Sequence, residues 1–100
     1  MIKVLIAEDE ARIRGLVEDA LKSQGYATVT ASDGKKALEA FEENSDLSLI
    51  ILDVMMPIYD GWTVCREIRK LSGIPILMLT ARVEEFDQLR QVLGVDVLLC

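Results

Sequence analysis

One hundred residues with a formal net charge of −6, half of them hydrophobic (51%), describe one small globular domain rather than a disordered chain. So acidic a surface repels phosphate backbones, and direct binding of DNA or RNA is not expected. The chain has no histidine. Ser-His and Cys-His nucleophile pairs are therefore excluded, and a histidine-based phosphate donor has to be another molecule.

The chain opens on a strand, Lys3 to Ala7 (KVLIA), followed at once by Glu8, Asp9 and Glu10. Acids directly after the apolar run, with no small-residue cleavage site, do not make a signal peptide, so a cytoplasmic location is expected. No apolar run approaches the roughly 20 residues that span a bilayer. Ile13, Leu16, Val17, Ala20 and Leu21 then recur at helical spacing, and Gly25 stops that helix. Ala27 to Ala31 (ATVTA) reads as a second strand. Ser32-Asp33-Gly34 makes a turn and supplies a cap for a helix that buries Ala37, Leu38 and Phe41. After the polar exit Glu42 to Asp46 comes Leu49-Ile50-Ile51-Leu52, a continuous apolar run suited to a strand buried on both faces, ending in Asp53. A loop with Pro57 and Asp60-Gly61 leads to a third helix carrying Val64, Cys65, Ile68 and Leu71, which ends near Ser72-Gly73. Cys65 on that stripe reads as a small core residue. It and Cys100, with no CxxC, suggest neither a disulfide framework nor a zinc site. Pro75 opens a fourth strand, Ile76 to Leu79, which runs into Thr80. A fourth helix is predicted over about 84–93, with Phe86, Leu89 and Leu93 on one face, and Gly94 ends it. Val95 to Cys100 starts a fifth strand.

Strands and helices alternate at a spacing of about 25 residues, the pattern of an α/β fold with a doubly wound parallel sheet. Five strands in this flavodoxin-like class take the order 2-1-3-4-5, with the switch point between the first and third strands. Ligands bind beyond the carboxyl ends of such strands. Taken alone, Asp53 reads equally as a helix cap or turn former. Its neighbours alter that. The first strand delivers Glu8 and Asp9, the third Asp53 and the fourth Thr80, on adjacent strands spaced about 4.8 Å apart. Carboxylates so close raise one another's pKa, and a divalent cation relieves the repulsion. Oxygen-only donors favour a hard ion, Mg²⁺ before Ca²⁺. Magnesium beside an aspartate suits phosphoryl transfer, with the carboxylate as nucleophile and Thr80 donating to a phosphoryl oxygen.

VLIAEDE, LIILDVMMPIYDGW and ILMLTAR, set in the alternating pattern, resemble the receiver domain of two-component response regulators over essentially the whole chain. The strand order above is the receiver order, so the two expectations are one. LTAR and DGW are most similar to receivers attached to winged-helix DNA-binding domains, which implies a bacterial transcription regulator. The resemblance implies that Asp53 accepts a phosphoryl group from a phosphohistidine on a sensor histidine kinase, which makes the domain a phosphoprotein of the phosphorelay and not an enzyme. Asp9 and Asp53 would hold Mg²⁺, Glu8 assisting through water and the backbone carbonyl of Met55 completing the protein ligands. Thr80 would contact the phosphoryl group and report it. Pro57 and Gly61 would shape the loop through fixed and permissive φ.

The resemblance breaks off at the end. Receivers carry a Lys at the end of the fifth strand, then Pro, then a fifth helix. Here Leu98-Leu99-Cys100 stands last, Leu98 replaces the usual aromatic and Val97 an acid. A receiver over 1–100, incomplete at its C-terminus, is therefore expected, with a DNA-binding effector domain in a longer parent protein. The uncovered apolar end predicts self-association through 84–100 by strand or helix exchange. Beside the phosphoacceptor stands a reading from another class, a non-signalling interaction module that has lost its switch. An aspartyl-phosphate phosphatase is a distant third, because Met55 stands where those enzymes place a second acid.

Overall fold

The computed structural model describes residues 1–80 and 96–100. In chain order the elements are β1 (Lys3–Ala7), α1 (Ala11–Ser23), β2 (Ala27–Ala31), α2 (Gly34–Glu43), β3 (Leu49–Asp53), α3 (Gly61–Arg69), β4 (Ile76–Thr80) and β5 (Asp96–Leu99). The strands form one sheet in the order β2-β1-β3-β4-β5, as expected. β1 lies parallel to both β2 and β3, and β3 parallel to β4. The helix expected over 84–93 falls outside the described residues.

The expectation of a wholly parallel sheet needs correcting at β5, which runs antiparallel to β4, with Leu77 opposite Leu99 and Thr80 opposite Asp96. Contacts at the chain's last residue account for the direction. Cys100 returns beside the start of β4, where its N–H donates to the Ile76 carbonyl at 3.1 Å. The Arg69 guanidinium donates to the Cys100 carbonyl at 2.8 Å and to the Ile74 carbonyl at 2.6 Å. Cys65 and Cys100 also come side by side there, their Cα atoms 6.5 Å apart. A parallel β5 would carry Cys100 to the opposite end of the sheet and lose all of these.

Alternation along the strands explains the core. Leu5 and Ala7 of β1, Ala31 of β2, Ile50 and Leu52 of β3, and Ile76 and Met78 of β4 share one face. They pack there against Ala37 and Ala40 of α2 and Val64, Cys65 and Ile68 of α3. Val4 and Ile6 point to the other face, where α1 lies against β1 and β2. That second face is less complete. Leu49, Ile51, Leu77 and Leu79 are only half-buried, so β3 is not the doubly buried strand its composition suggested. No residue of α1 is fully buried, and Leu16, on the expected apolar stripe, is 62% exposed. Leu71 also departs from expectation, because α3 stops at Arg69 and leaves it exposed.

The helix ends follow their residues. Gly25, at φ 86°, closes α1 in the left-handed region that glycine reaches without steric cost, and its N–H donates to the Lys22 carbonyl at 2.9 Å. Asp33 caps α2 by accepting from the Lys36 N–H at 2.7 Å, as its turn predicted. Asp60 caps α3 through the Thr63 N–H at 2.8 Å, which holds its carboxyl below the usual range.

Candidate metal and phosphoryl site

The register of β1 on β3 pairs Ala7 with Leu52, so the next residues, Glu8 and Asp53, leave the sheet side by side at its carboxyl end. One carboxylate oxygen each from Glu8, Asp9 and Asp53 lies within 4.8 Å of the others. The three acids sit at different depths. Glu8 is almost buried at 9% exposure, Asp53 is half-buried and Asp9 is open to solvent.

Depth decides their protonation. Burial pushes the Glu8 carboxyl up to about 8, helped by its hydrogen bond with Asp9 and the charge of Asp53, against the stabilising Glu10 N–H. Asp53 is also raised, chiefly by burial, although the Met55 N–H and Glu8 favour its charged form. A protein without a cation therefore keeps a proton in the trio at neutral pH. The donor set is all oxygen, it is crowded, and it is short of positive charge. Those properties fit a hard divalent ion such as Mg²⁺.

Backbone contacts fix the acids. The Glu8 N–H donates to the Ala31 carbonyl at 3.0 Å, tying the β1–α1 loop to the end of β2. Glu8 Oε2 accepts from the Glu10 N–H at 2.9 Å. Asp53 Oδ1 accepts from the Met55 N–H at 3.2 Å, which leaves its second oxygen unengaged by that bond. Thr80 ends β4 next to the end of β3, where the Val54 N–H donates to the Leu79 carbonyl at 3.0 Å. The role assigned to the Thr80 side chain lies outside the described residues.

Gly61 does shape the β3–α3 loop, but for a reason other than a permissive φ. A Cβ at Gly61 would stand 2.5 Å from the Asp53 carbonyl oxygen and 2.9 Å from Val54 Cα, so the close approach of α3 to β3 demands glycine. The residue that does adopt positive φ is Ile58, at 72°. Three participants escaped sequence reasoning. Gly34 abuts Tyr59, joining the β2–α2 turn to the β3–α3 loop, and its N–H donates to the Pro57 carbonyl at 3.3 Å. Ile58 carries strain. Arg14 donates to the Glu8 carbonyl at 2.8 Å. A Gly after Asp33 and an Arg one turn into α1 were the only signals.

The family model for the response regulator receiver domain matches residues 4–97. The chain belongs to the response regulator receiver family. It is 50% identical over 95 residues to a probable transcriptional regulator, ycf27, of Guillardia theta, covering 94% of this chain and 37% of that protein. It is 41% identical over 99 residues to the transcriptional regulatory protein BaeR of Escherichia coli, covering 98% of this chain and 41% of that one. The receiver thus spans about two-fifths of the length of the curated relatives it matches. Their names agree with the transcription-regulator subclass read from LTAR and DGW. Among solved structures, the response regulator TrrA of Thermotoga maritima, in complex with Mg²⁺–BeF, is 36% identical. It has a TM-score of 0.77, over 94% of this chain and 78% of that one. A complex of TrrA with the histidine kinase ThkA matches with a TM-score of 0.77 and 34% identity, over 96% of this chain and 82% of that one. The receiver is accordingly a module of two-component signalling. Among its described residues no helix is long and apolar enough to cross a membrane.

Proposed function

We propose that this receiver accepts a phosphoryl group on Asp53 from a phosphohistidine of a sensor histidine kinase. The observation that carries the reading is the convergence of Glu8, Asp9 and Asp53 within 4.8 Å at the carboxyl ends of β1 and β3. Asp9 and Asp53 would hold Mg²⁺, with Glu8 assisting through water and the Met55 carbonyl as a further oxygen donor. Bound there, Mg²⁺ supplies positive charge to the phosphoryl oxygens. The Asp53 oxygen not held by Met55 attacks phosphorus. The N–P bond breaks, its electron pair returns to the imidazole, and the donor histidine takes up a proton from solvent. The Thr80 hydroxyl donates to a phosphoryl oxygen once the group has arrived.

The complex of TrrA with ThkA supports a kinase as donor, and the Mg²⁺–BeF complex of TrrA supports the ion. The curated relatives support a DNA-binding effector domain in a longer protein, working in the cytoplasm, with residues 1–100 as the receiver. Self-association through 84–100 stays part of this proposal, and most of that stretch lies outside the described residues. The assembled acids speak for signalling over the non-signalling alternative. Mg²⁺ titration followed by the fluorescence of Trp62, which lies in the first turn of α3 and is 43% exposed, tests the ion site. One saturable change is expected, lost in Asp9→Asn and Asp53→Asn. Equal binding by both variants would move the ion elsewhere.

A further inference from the structure

The loop that carries Glu8 and Asp9 is tied at Glu8 to the Ala31 carbonyl, but the helix start that follows it is less well held. α1 begins at Ala11 without a side-chain cap from Glu10, and no α1 residue is fully buried. Packing therefore anchors this helix start weakly, whereas α2 and α3 have both a cap and buried residues. Yet the two acids must keep their carboxylates beside Asp53.

Arg14, one turn into α1, supplies the missing restraint. Its backbone N–H donates to the Glu10 carbonyl at 2.9 Å, closing the first helical turn. Its guanidinium Nη1 reaches back to the Glu8 carbonyl at 2.8 Å and to the Asp9 carbonyl at 3.4 Å. Among the described residues Arg14 makes no ion pair, whereas Arg12, two positions earlier, pairs with the exposed Glu10 carboxylate at 3.3 Å. By holding carbonyls, Arg14 leaves the carboxylates of Glu8 and Asp9 free for a cation and fixes the peptide that aims them. The planar fork suits this task, because one nitrogen can serve two acceptors.

We propose that Arg14 is a positioning residue of the Mg²⁺ site, bracing the β1–α1 loop through the carbonyls of Glu8 and Asp9. This rests on the reading of the acids as a Mg²⁺ site. It also carries an opposite sign from a purely electrostatic role. A cationic side chain near the acids repels Mg²⁺, so removing mere charge tightens Mg²⁺ binding. Removing a brace weakens it.

The test compares Arg14→Met and Arg14→Lys with Arg12→Met, which deletes the same charge on the same helix without touching the loop carbonyls. Mg²⁺ affinity is read from Trp62 fluorescence. Exchange of the Glu10 amide, whose N–H donates to Glu8, is read by NMR without the ion. Arg14→Met should weaken Mg²⁺ binding about 3- to 10-fold and speed exchange at Glu10. Arg14→Lys should fall between it and wild type, and Arg12→Met should bind unchanged or tighter. Unchanged or tighter binding in Arg14→Met, or equal weakening in Arg12→Met, overturns the proposal. Should Arg14→Met not fold, Arg14→Lys decides by the same two readouts. If the wild type binds no Mg²⁺, the site reading fails instead. The brace is then judged by Glu10 exchange alone, and unaltered exchange in the Arg14 variants overturns it.

Discussion

Replacing Glu8 by Gln should stabilise the cation-free receiver, although it deletes a residue of the proposed functional site. Glu8 titrates near 8 in the fold and at 4.5 as a free side chain. Between those values the folded protein holds a proton that the unfolded chain releases, so stability falls as pH rises through the window. At pH 7 the gap from 4.5 is 7 − 4.5 = 2.5 units, which at about 1.4 kcal/mol per unit sets a ceiling of about 3 kcal/mol. Sharing of the proton with Asp53, and water reaching the trio at exposed Asp9, bring this to about 1–2 kcal/mol. Gln carries no such penalty and still offers an oxygen to the Glu10 N–H. Thermal unfolding in chelator should therefore show Glu8→Gln melting higher than wild type by about 5–10 °C at pH 8. The difference should shrink towards zero near pH 5. Saturating Mg²⁺ should reverse the order, because the wild type then keeps three ionised acids on the cation. A gain of equal size at pH 5 and pH 8, or none at all, would refute the protonated trio.

Two glycine exchanges and one strained residue test the loop geometry. Gly61→Ala should cost about 1–3 kcal/mol in urea unfolding, because its Cβ meets the Asp53 carbonyl and Val54. Gly15→Ala in α1 meets nothing within 4 Å and should stabilise by about 0.5–1 kcal/mol. Equal effects at the two sites would contradict the close approach. Ile58 is β-branched, 66% exposed and at φ 72°, so Ile58→Gly should raise stability by about 0.5–1 kcal/mol. A loss there would mean that the side chain makes contacts worth more than its strain.

The cluster of Glu8, Asp9 and Asp53 was legible because the acids stand in short words at strand ends. An apolar run that breaks directly into acids marks a strand end, and two such ends with Thr80 at a third define a sheet edge. The strand order was legible for a similar reason, because alternating elements leave few ways to wind a sheet. The direction of β5 was not, since it depends on Arg69 and Cys65 meeting Cys100 from 31 and 35 residues away. Nothing local to VDVLLC records those meetings. Gly61 was singled out correctly but for the wrong cause, because sequence shows that a residue is small and not what presses on it. Arg14 was invisible, as one basic residue among several on a helix whose apolar stripe drew the eye.

The assignment of Asp53 as a Mg²⁺-dependent phosphoacceptor is tested by the mass of the intact protein after treatment with a small acyl phosphate. An aspartyl phosphate would add about −1.5 to −2 charges to an already acidic patch, so it should form only with the cation present. One added phosphoryl group is expected in Mg²⁺, none in chelator, and none in Asp53→Asn under either condition. Labelling of equal extent in Asp53→Asn, or in chelator, would contradict it.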